Sequence, residues 1–235
     1  MENPLLNPEA IFFDYGNTLA ADTEDKFTDI NTWAVSKGLP ALDAEAFDRA
    51  WGASETWSSA YRAVNGKRTW KKDRYWLNFC REYLVEAYGE DAGDLAEEMH
   101  HTQFFTNTLY DDTISTLKEL RARGIRLGVI SNWDAPTLLA NFDRFGMTPY
   151  FESILPSWYV EANKPHSHFF LSAMQALGVH PSKSMHIGDS WGCDVIGARG
   201  VGITPVWINE HNGPVPDGSD VLQIRRLGEL LSLVK

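Results

Sequence analysis

Ala10-Ile11-Phe12-Phe13-Asp14-Tyr15-Gly16-Asn17-Thr18-Leu19 runs four apolar residues straight into one carboxylate and then turns on Gly16-Asn17. A short apolar run bounded by a turn signal reads as a buried strand of a parallel sheet. Ligands of open α/β sheets sit beyond the carboxyl ends of the strands, which is where Asp14 is delivered. Burying a carboxylate beside a core strand costs free energy unless a cation or several donors face it. A charge held at a crevice is one reading. Ordinary turn capping, with Asp ahead of Gly-Asn, is the other, and the motif by itself supports both equally.

The bulk numbers narrow the classes. With 235 residues and 43% hydrophobic content, the chain buries a sizeable core, as one domain or one domain plus a subdomain. A formal charge of −11 and a pI near 5.0 argue against nucleic acid or an anionic membrane as the main partner. They leave room for a small phosphorylated substrate, because local charge in a pocket outweighs the total. No apolar run approaches the ~18 residues of a membrane span. The opening Met1-Glu2-Asn3-Pro4-Leu5-Leu6 has neither the basic stretch nor the apolar run of a signal peptide. Cys80 and Cys193 stand far apart, without metal-ligand spacing, so a reduced cytoplasmic protein is expected.

After Leu19 the periodicity becomes helical, and no strand pattern shows over residues 20–108. Phe27, Ile30 and Ala34 share one face, ending near Gly38-Leu39-Pro40. Asp43 stands where it can cap a second helix, striped with Phe47, Ala50, Trp51, Trp57 and Tyr61 and holding Ser54 and Ser58, ended by Asn65-Gly66. A third helix is expected over 71–88, stopped by Gly89, and a weaker fourth over 95–105. From Thr113 helices and strands alternate: strands near 125–130, 151–155, 185–187 and 203–208, helices at 114–123, after Asp134, at 167–177 and at 227–234. Such alternation implies a parallel sheet with right-handed crossovers. Residues 211–220, rich in Gly, Pro, Asn and Asp, read as a surface loop.

Three other stretches lie at or beyond predicted strand ends. These are Ser131-Asn132, Lys164-Pro165 and Gly188-Asp189-Ser190-Trp191-Gly192-Cys193-Asp194. In a parallel sheet all of them converge with Asp14 on one edge of the crevice. Each has a plainer reading alone: loop chemistry at a helix start, a solvated lysine, helix caps and dipole partners. Cys193 reads as packing. Trp133 and Trp191 read as pocket lining or core in equal measure.

In this order the four stretches resemble the haloacid dehalogenase-like hydrolase superfamily, over nearly the whole chain. That family has an Asp nucleophile after its first strand, Ser or Thr after the second, then Lys, then Gly-Asp with a second acid. The resemblance implies an α/β, Rossmann-like parallel core over 1–19 and 109–235 with an inserted helical cap over 20–108. It implies Mg²⁺ held by Asp14, the Gly16 carbonyl and Asp189, with Asp194 reaching the ion through water or standing behind its ligands. Lys164 would neutralise phosphate and hold Asp14, while Ser131 and the Asn132 amide would bind phosphate oxygens. The implied activity is phosphomonoester hydrolysis through an aspartyl-phosphate, which splits one hard step into two. A hard divalent ion suits such carboxylates.

The departure lies at Gly16, where phosphatases of this family carry a second Asp that protonates the leaving group. Its loss removes a general acid–base contribution of ~10²–10⁴-fold. Asp22, Glu24 and Asp25 are the nearest acids in sequence, and solvated helix-start positions are their plainer reading. Alternatively, the substrate has a good leaving group, or the protein binds phosphorylated ligands with little turnover. The family's dehalogenases also lack the second Asp, but their fourth motif does not present the acid that Asp189 supplies. The expected order is therefore phosphatase, then binding protein, then dehalogenase.

Overall fold

The computed structural model describes residues 6–22, 25–65, 75–101, 107–133 and 135–235. The chain divides into two compact units, Met1–Ala21 with Thr108–Lys235, and Asp22–Asn107.

The first unit is built on six parallel strands. They are β1 (Ala10–Phe13), β4 (Arg126–Ser131), β5 (Ser153–Pro156), β6 (Ser184–Gly188), β7 (Thr204–Ile208) and β8 (Leu222–Ile224), in the order β5-β4-β1-β6-β7-β8. Strand β1 is central, and the connections run outward from it in both directions. The crevice at its carboxyl end is thus the topological switch point where ligands bind in such sheets. Alternation along β1 decides both layers. Ile11 and Phe13 face a core with Leu117, Leu120, Leu138, Phe142 and Leu230. Ala10 and Phe12 face Phe169, Phe170, Ala173, Met174 and Leu177. The covering helices are α5 (Thr113–Ala122) and α6 (Ala135–Arg144) on one side, and α8 (Ser167–Leu177) and α9 (Ile196–Gly200) on the other. A single turn, α7 (Ser157–Val160), follows β5. Gly178 closes α8 at φ 64°, left-handed backbone that glycine adopts without a Cβ penalty.

The second unit is helical: α1 (Lys26–Ser36), α2 (Ala44–Asn65), α3 (Tyr75–Tyr88), a 3₁₀ segment at Glu90–Leu95 and α4 (Ala96–His101). Its own core gathers Ile30, Phe47, Ala50, Phe79, Tyr83, Leu84 and Met99. Asp43 accepts from the Ala46 amide at 2.8 Å and so caps α2. The two serines inside the apolar stripe are satisfied: Ser54 donates to the Phe79 carbonyl at 2.9 Å, and Ser58 bonds the Tyr75 hydroxyl.

Several features differ from the sequence expectation. Two three-residue strands, β2 (Ala20–Asp22) and β3 (Asn107–Leu109), pair where the chain leaves and re-enters the first unit; three residues are too few to display a period of two. Strand β8 lies just beyond the expected loop, on the sheet edge. Residues Leu227–Ser232 form a 3₁₀ helix, not an α-helix. Asp134, Gly66, residues 71–74 and the end of the expected fourth helix lie outside the described residues. Among the described residues no helix is long and apolar enough to cross a membrane.

Candidate active site

Every group of the site belongs to the first unit. Asp14 leaves β1 with its amide still bonded to the Ile187 carbonyl of β6, at 2.9 Å, so the end of the sheet fixes its backbone. Ser131 is the last residue of β4; it is fully buried, and its hydroxyl has no hydrogen-bond partner among the described residues. A buried hydroxyl left unpaired costs free energy, which a ligand oxygen at this crevice would recover.

Lys164 is buried between two carboxylates, with Nζ 2.7 Å from Asp14 Oδ1 and 2.6 Å from Asp194 Oδ1. Burial works against its charge, yet Asp14 and Asp194 raise its pKa above the ordinary lysine value. Its backbone is clasped by Asn132, whose Oδ1 accepts from the Lys164 amide at 2.7 Å while Nδ2 donates to the Lys164 carbonyl at 3.3 Å. The Asn132 side chain is therefore engaged in holding the lysine loop, and only its backbone amide stays available to a ligand.

The fourth motif leaves β6 and makes one π-helical turn, Trp191–Val195; such turns are frequent at functional sites. The turn folds Asp194 back against β6. Its Oδ1 takes Lys164 Nζ and His186 Nε2, the latter at 2.8 Å, and its Oδ2 takes the Ser190 amide at 3.0 Å. Glycine is required at 188, because a Cβ there would fall 2.2 Å from Asp194 Cγ. Asp189 is held through its carbonyl, which accepts from Trp207 Nε1 of β7 at 2.8 Å.

Oxygens of Asp14, Asp189 and Asp194 all lie within 4.8 Å of one another. Among the described residues, three carboxylates thus share the ammonium of Lys164. Burial, followed by the charges of Asp14 and Asp194, pushes Asp189 up to about 7. Burial also raises Asp14, against the pull of Lys164. Asp194 goes the other way: burial opposes ionisation, but Lys164 and the His186 bond outweigh it and bring the group down to about 2. Asp194 is an anion saturated with donors, whereas Asp14 and Asp189 keep oxygens free for a hard cation. These residues fit a magnesium ion.

The structure brings Asp14, Ser131, Asn132, Lys164, Asp189 and Asp194 to one sheet edge. At Gly16, the position of a Cβ lies 3.5 Å from Trp133 Nε1, and the Trp133 ring meets Tyr15 edge-on at 5.1 Å. Of the acids nearest in sequence, the Asp22 side chain and Glu24 lie outside the described residues. Asp25 caps α1 by accepting from the Thr28 amide at 2.9 Å, which holds its carboxyl below the usual range, the opposite of what a general acid needs. Sequence reasoning missed His186 and Trp207. A histidine inside a fully buried strand was the available signal for the first, since a buried polar ring demands a partner. His186 meets Asp194 with Nε2, and because a carboxylate only accepts, that nitrogen carries the proton. Burial lowers its pKa, offset in part by Asp194.

A family model described as haloacid dehalogenase-like hydrolase matches residues 8–202. A glyceraldehyde 3-phosphate phosphatase of Methanothermobacter thermautotrophicus is 28% identical over 241 residues, spanning 96% of this chain and 99% of that protein. Among solved structures, a HAD phosphatase from Thermococcus onnurineus aligns with a TM-score of 0.66 and 26% identity, over 94% of this chain and 95% of its own. A 2-haloacid dehalogenase from Pseudomonas syringae pv. Tomato aligns with a TM-score of 0.71 and 21% identity, over 96% and 97%; at that identity the likeness speaks for the fold alone. The family match takes in β1, the end of β4, the Lys164 loop and the fourth motif together, and the chain belongs to the haloacid dehalogenase-like hydrolases.

Proposed function

We propose that this protein hydrolyses a small phosphomonoester in the presence of Mg²⁺, with Asp14 as nucleophile. The observation that carries the reading is Asp189: a second carboxylate beside Asp14, pushed up to about 7 by burial and by the charges of Asp14 and Asp194. The full-length likeness to an enzyme named for phosphatase activity supports the same reading. Attack at carbon, as in a dehalogenase, gains nothing from such a pair of acids.

Each residue has a task. An Asp14 oxygen forms a bond to phosphorus as the bond to the leaving oxygen breaks, giving an aspartyl-phosphate. Water then attacks that phosphorus, releasing inorganic phosphate and restoring the carboxylate. Lys164 neutralises phosphate charge and keeps Asp14 in position. The Ser131 hydroxyl and the Asn132 amide donate to phosphate oxygens. Asp14, Asp189 and the Gly16 carbonyl would hold magnesium, which would supply charge neutralisation at the phosphate. Asp194 fixes Lys164 and the loop of Asp189 and, with both oxygens already taken, would reach the ion through water. The helical insert serves as the specificity cap.

Gly16 favours a second reading, a phosphate-ligand-binding relative with little turnover. Phosphate release over a panel of alkyl, aryl and acyl phosphates, with and without Mg²⁺, separates the two. Mg²⁺-dependent release that falls at least ~10³-fold in Asp14→Asn supports hydrolysis. Release that survives Asp14→Asn sinks the nucleophile assignment, and saturable binding without release on any ester favours the binding protein.

A further inference from the structure

His186 stands in the middle of β6, fully buried, with Phe12 beside it on one neighbouring strand and Pro205 on the other. The Phe170 ring of α8 meets it edge-on at 5.2 Å. Among the described residues its Nδ1 has no hydrogen-bond partner, and its polar engagement is the bond from Nε2 to Asp194 Oδ1 at 2.8 Å. An apolar side chain would suit this layer better, because a buried ring nitrogen without a partner costs free energy. The chemistry assigned above to Asp14 and Lys164 gives the ring no task.

The one bond it makes reaches the nucleophile in two further steps. Asp194 Oδ1 also takes Lys164 Nζ at 2.6 Å, and the same Nζ lies 2.7 Å from Asp14 Oδ1. Two carboxylates thus compete for one ammonium at almost equal distance. Asp194 is the better supplied of the two, with the Ser190 amide on Oδ2 at 3.0 Å and His186 beside Lys164 on Oδ1. A hydrogen bond to a carboxylate satisfies part of its charge, so a second donor on the same oxygen is drawn in less strongly. The His186 bond therefore pins Oδ1 in place and weakens the hold of Asp194 on the ammonium, which stays shared with Asp14.

We infer that His186 is a positioning residue of the candidate active site: by sharing Asp194 Oδ1, it keeps Lys164 within reach of Asp14. It touches no reacting atom and acts through Asp194. The kinetic consequence rests on the hydrolase reading proposed above, whereas the geometric one does not. Without the His186 bond, Lys164 settles on Asp194 and leaves Asp14, and the nucleophile loses the partner that orients it. A misplacement of ~1 Å at a reacting group costs ~10²-fold in rate. Phosphate keeps the Ser131 hydroxyl and the Asn132 amide as donors, so the loss falls on kcat and little of it on KM.

The test compares His186→Met with His186→Gln, side chains of equal length of which only glutamine returns a donor near the Nε2 position. Lys164 still meets Asp194 in both, so no buried carboxylate is left bare and both should fold, as melting curves check. In crystals of His186→Met, Lys164 Nζ should lie beyond hydrogen-bond distance of Asp14. With p-nitrophenyl phosphate and Mg²⁺, kcat of His186→Met should fall about tenfold or more with KM within about threefold, and His186→Gln should recover most of the loss. Phe170→Leu, which loosens the same ring pocket and leaves Nε2 alone, should lower the melting temperature and keep kcat. A further readout needs neither turnover nor His186→Met. In protein carrying isotope-labelled histidine, the His186 Nε2 proton resonance, assigned by its loss in His186→Gln, should move upfield in Asp14→Asn. Lys164, with one carboxylate fewer, then turns wholly to Asp194 and loosens the His186 bond. An unmoved or downfield-shifted resonance overturns the inference. So does Lys164 still bridging both carboxylates in His186→Met, or equal losses of kcat in His186→Met, His186→Gln and Phe170→Leu. A parent protein that releases no phosphate sinks the hydrolase reading instead, and the crystal distance and the resonance then decide this inference alone.

Discussion

Position 16 lacks the side chain that the family resemblance leads one to expect, and the structure leaves room for it. A Cβ there meets only Trp133 Nε1, at 3.5 Å, and Gly16 is not among the glycines with positive φ. Gly16→Asp is expected to fold like the parent and to raise kcat on unactivated alkyl phosphates ~10²-fold or more. It should do little for p-nitrophenyl phosphate, whose leaving group departs without a proton. Steady-state kinetics on the pair checks this, and equal gains on both would show that the new acid is not protonating the leaving oxygen. Asp189 supplies a prediction of opposite character. Its folded pKa of about 7 stands above the ordinary 3.8, so between those values the native state holds more protons than the unfolded chain. Its contribution to stability then falls as pH rises through that window, by at most about 4 kcal/mol. Urea unfolding in EDTA should find Asp189→Asn more stable than the parent at pH 8 and no more stable at pH 4; the reverse order would mean the site has cations enough. Asp14, Lys164 and Asp189 were legible because each stands at the end of an apolar run or beside a loop signal. His186 was not, because a lone histidine in a strand looks like core. The clasp of Asn132 on Lys164 was hidden for another reason: it joins residues far apart in the chain that no spacing rule connects.

Among the elements, the junction of β6 with its π turn is the tightest fit. Gly188→Ala would drive a methyl to 2.2 Å from Asp194 Cγ, and neither β6 nor the turn has slack, since Asp194 is bonded to Lys164, His186 and Ser190. The variant should lose about 3 kcal/mol of stability and bind Mg²⁺ more weakly. Gly192→Ala in the same turn meets nothing within 4 Å and should do neither. Denaturant melts and Mg²⁺ titration of the two variants decide the matter, and equal losses in both would point to the turn's backbone and not the collision. At this scale the sequence was informative wherever a side-chain period or a glycine stop existed. The helix expected at 167–177 is α8, and Gly146 and Gly178, expected to close helices, do sit in left-handed backbone. It was silent where pairing, not pattern, makes the element. β8 has one buried residue in three, and β2 and β3 are strands only because each has the other.

Among the described residues, each unit has an apolar core of its own. Ile30, Phe47, Phe79, Tyr83 and Met99 pack in the helical unit, while the clusters on the two sheet faces draw only on residues of the first unit. Cooperative unfolding follows the contiguous apolar core, so each unit has what it needs to unfold separately. The connection favours excision as well. The chain leaves and returns through β2 and β3, which are hydrogen-bonded neighbours, and paired strands stand only ~4.8 Å apart. A Gly-Asn turn joining Ala21 to Thr108 should therefore close the first unit with little loop entropy. The expected product melts cooperatively, binds Mg²⁺ within a few-fold of the parent, and keeps Asp14-dependent release from p-nitrophenyl phosphate while losing discrimination among larger esters. Circular dichroism melts, calorimetry with Mg²⁺ and the ester panel measure these in turn. A product that is unfolded, or folded and blind to Mg²⁺, would show that Asp14, Lys164, Asp189 and Asp194 do not hold their places without the helical insert. A folded product with unchanged selectivity would leave the insert without the cap role proposed for it.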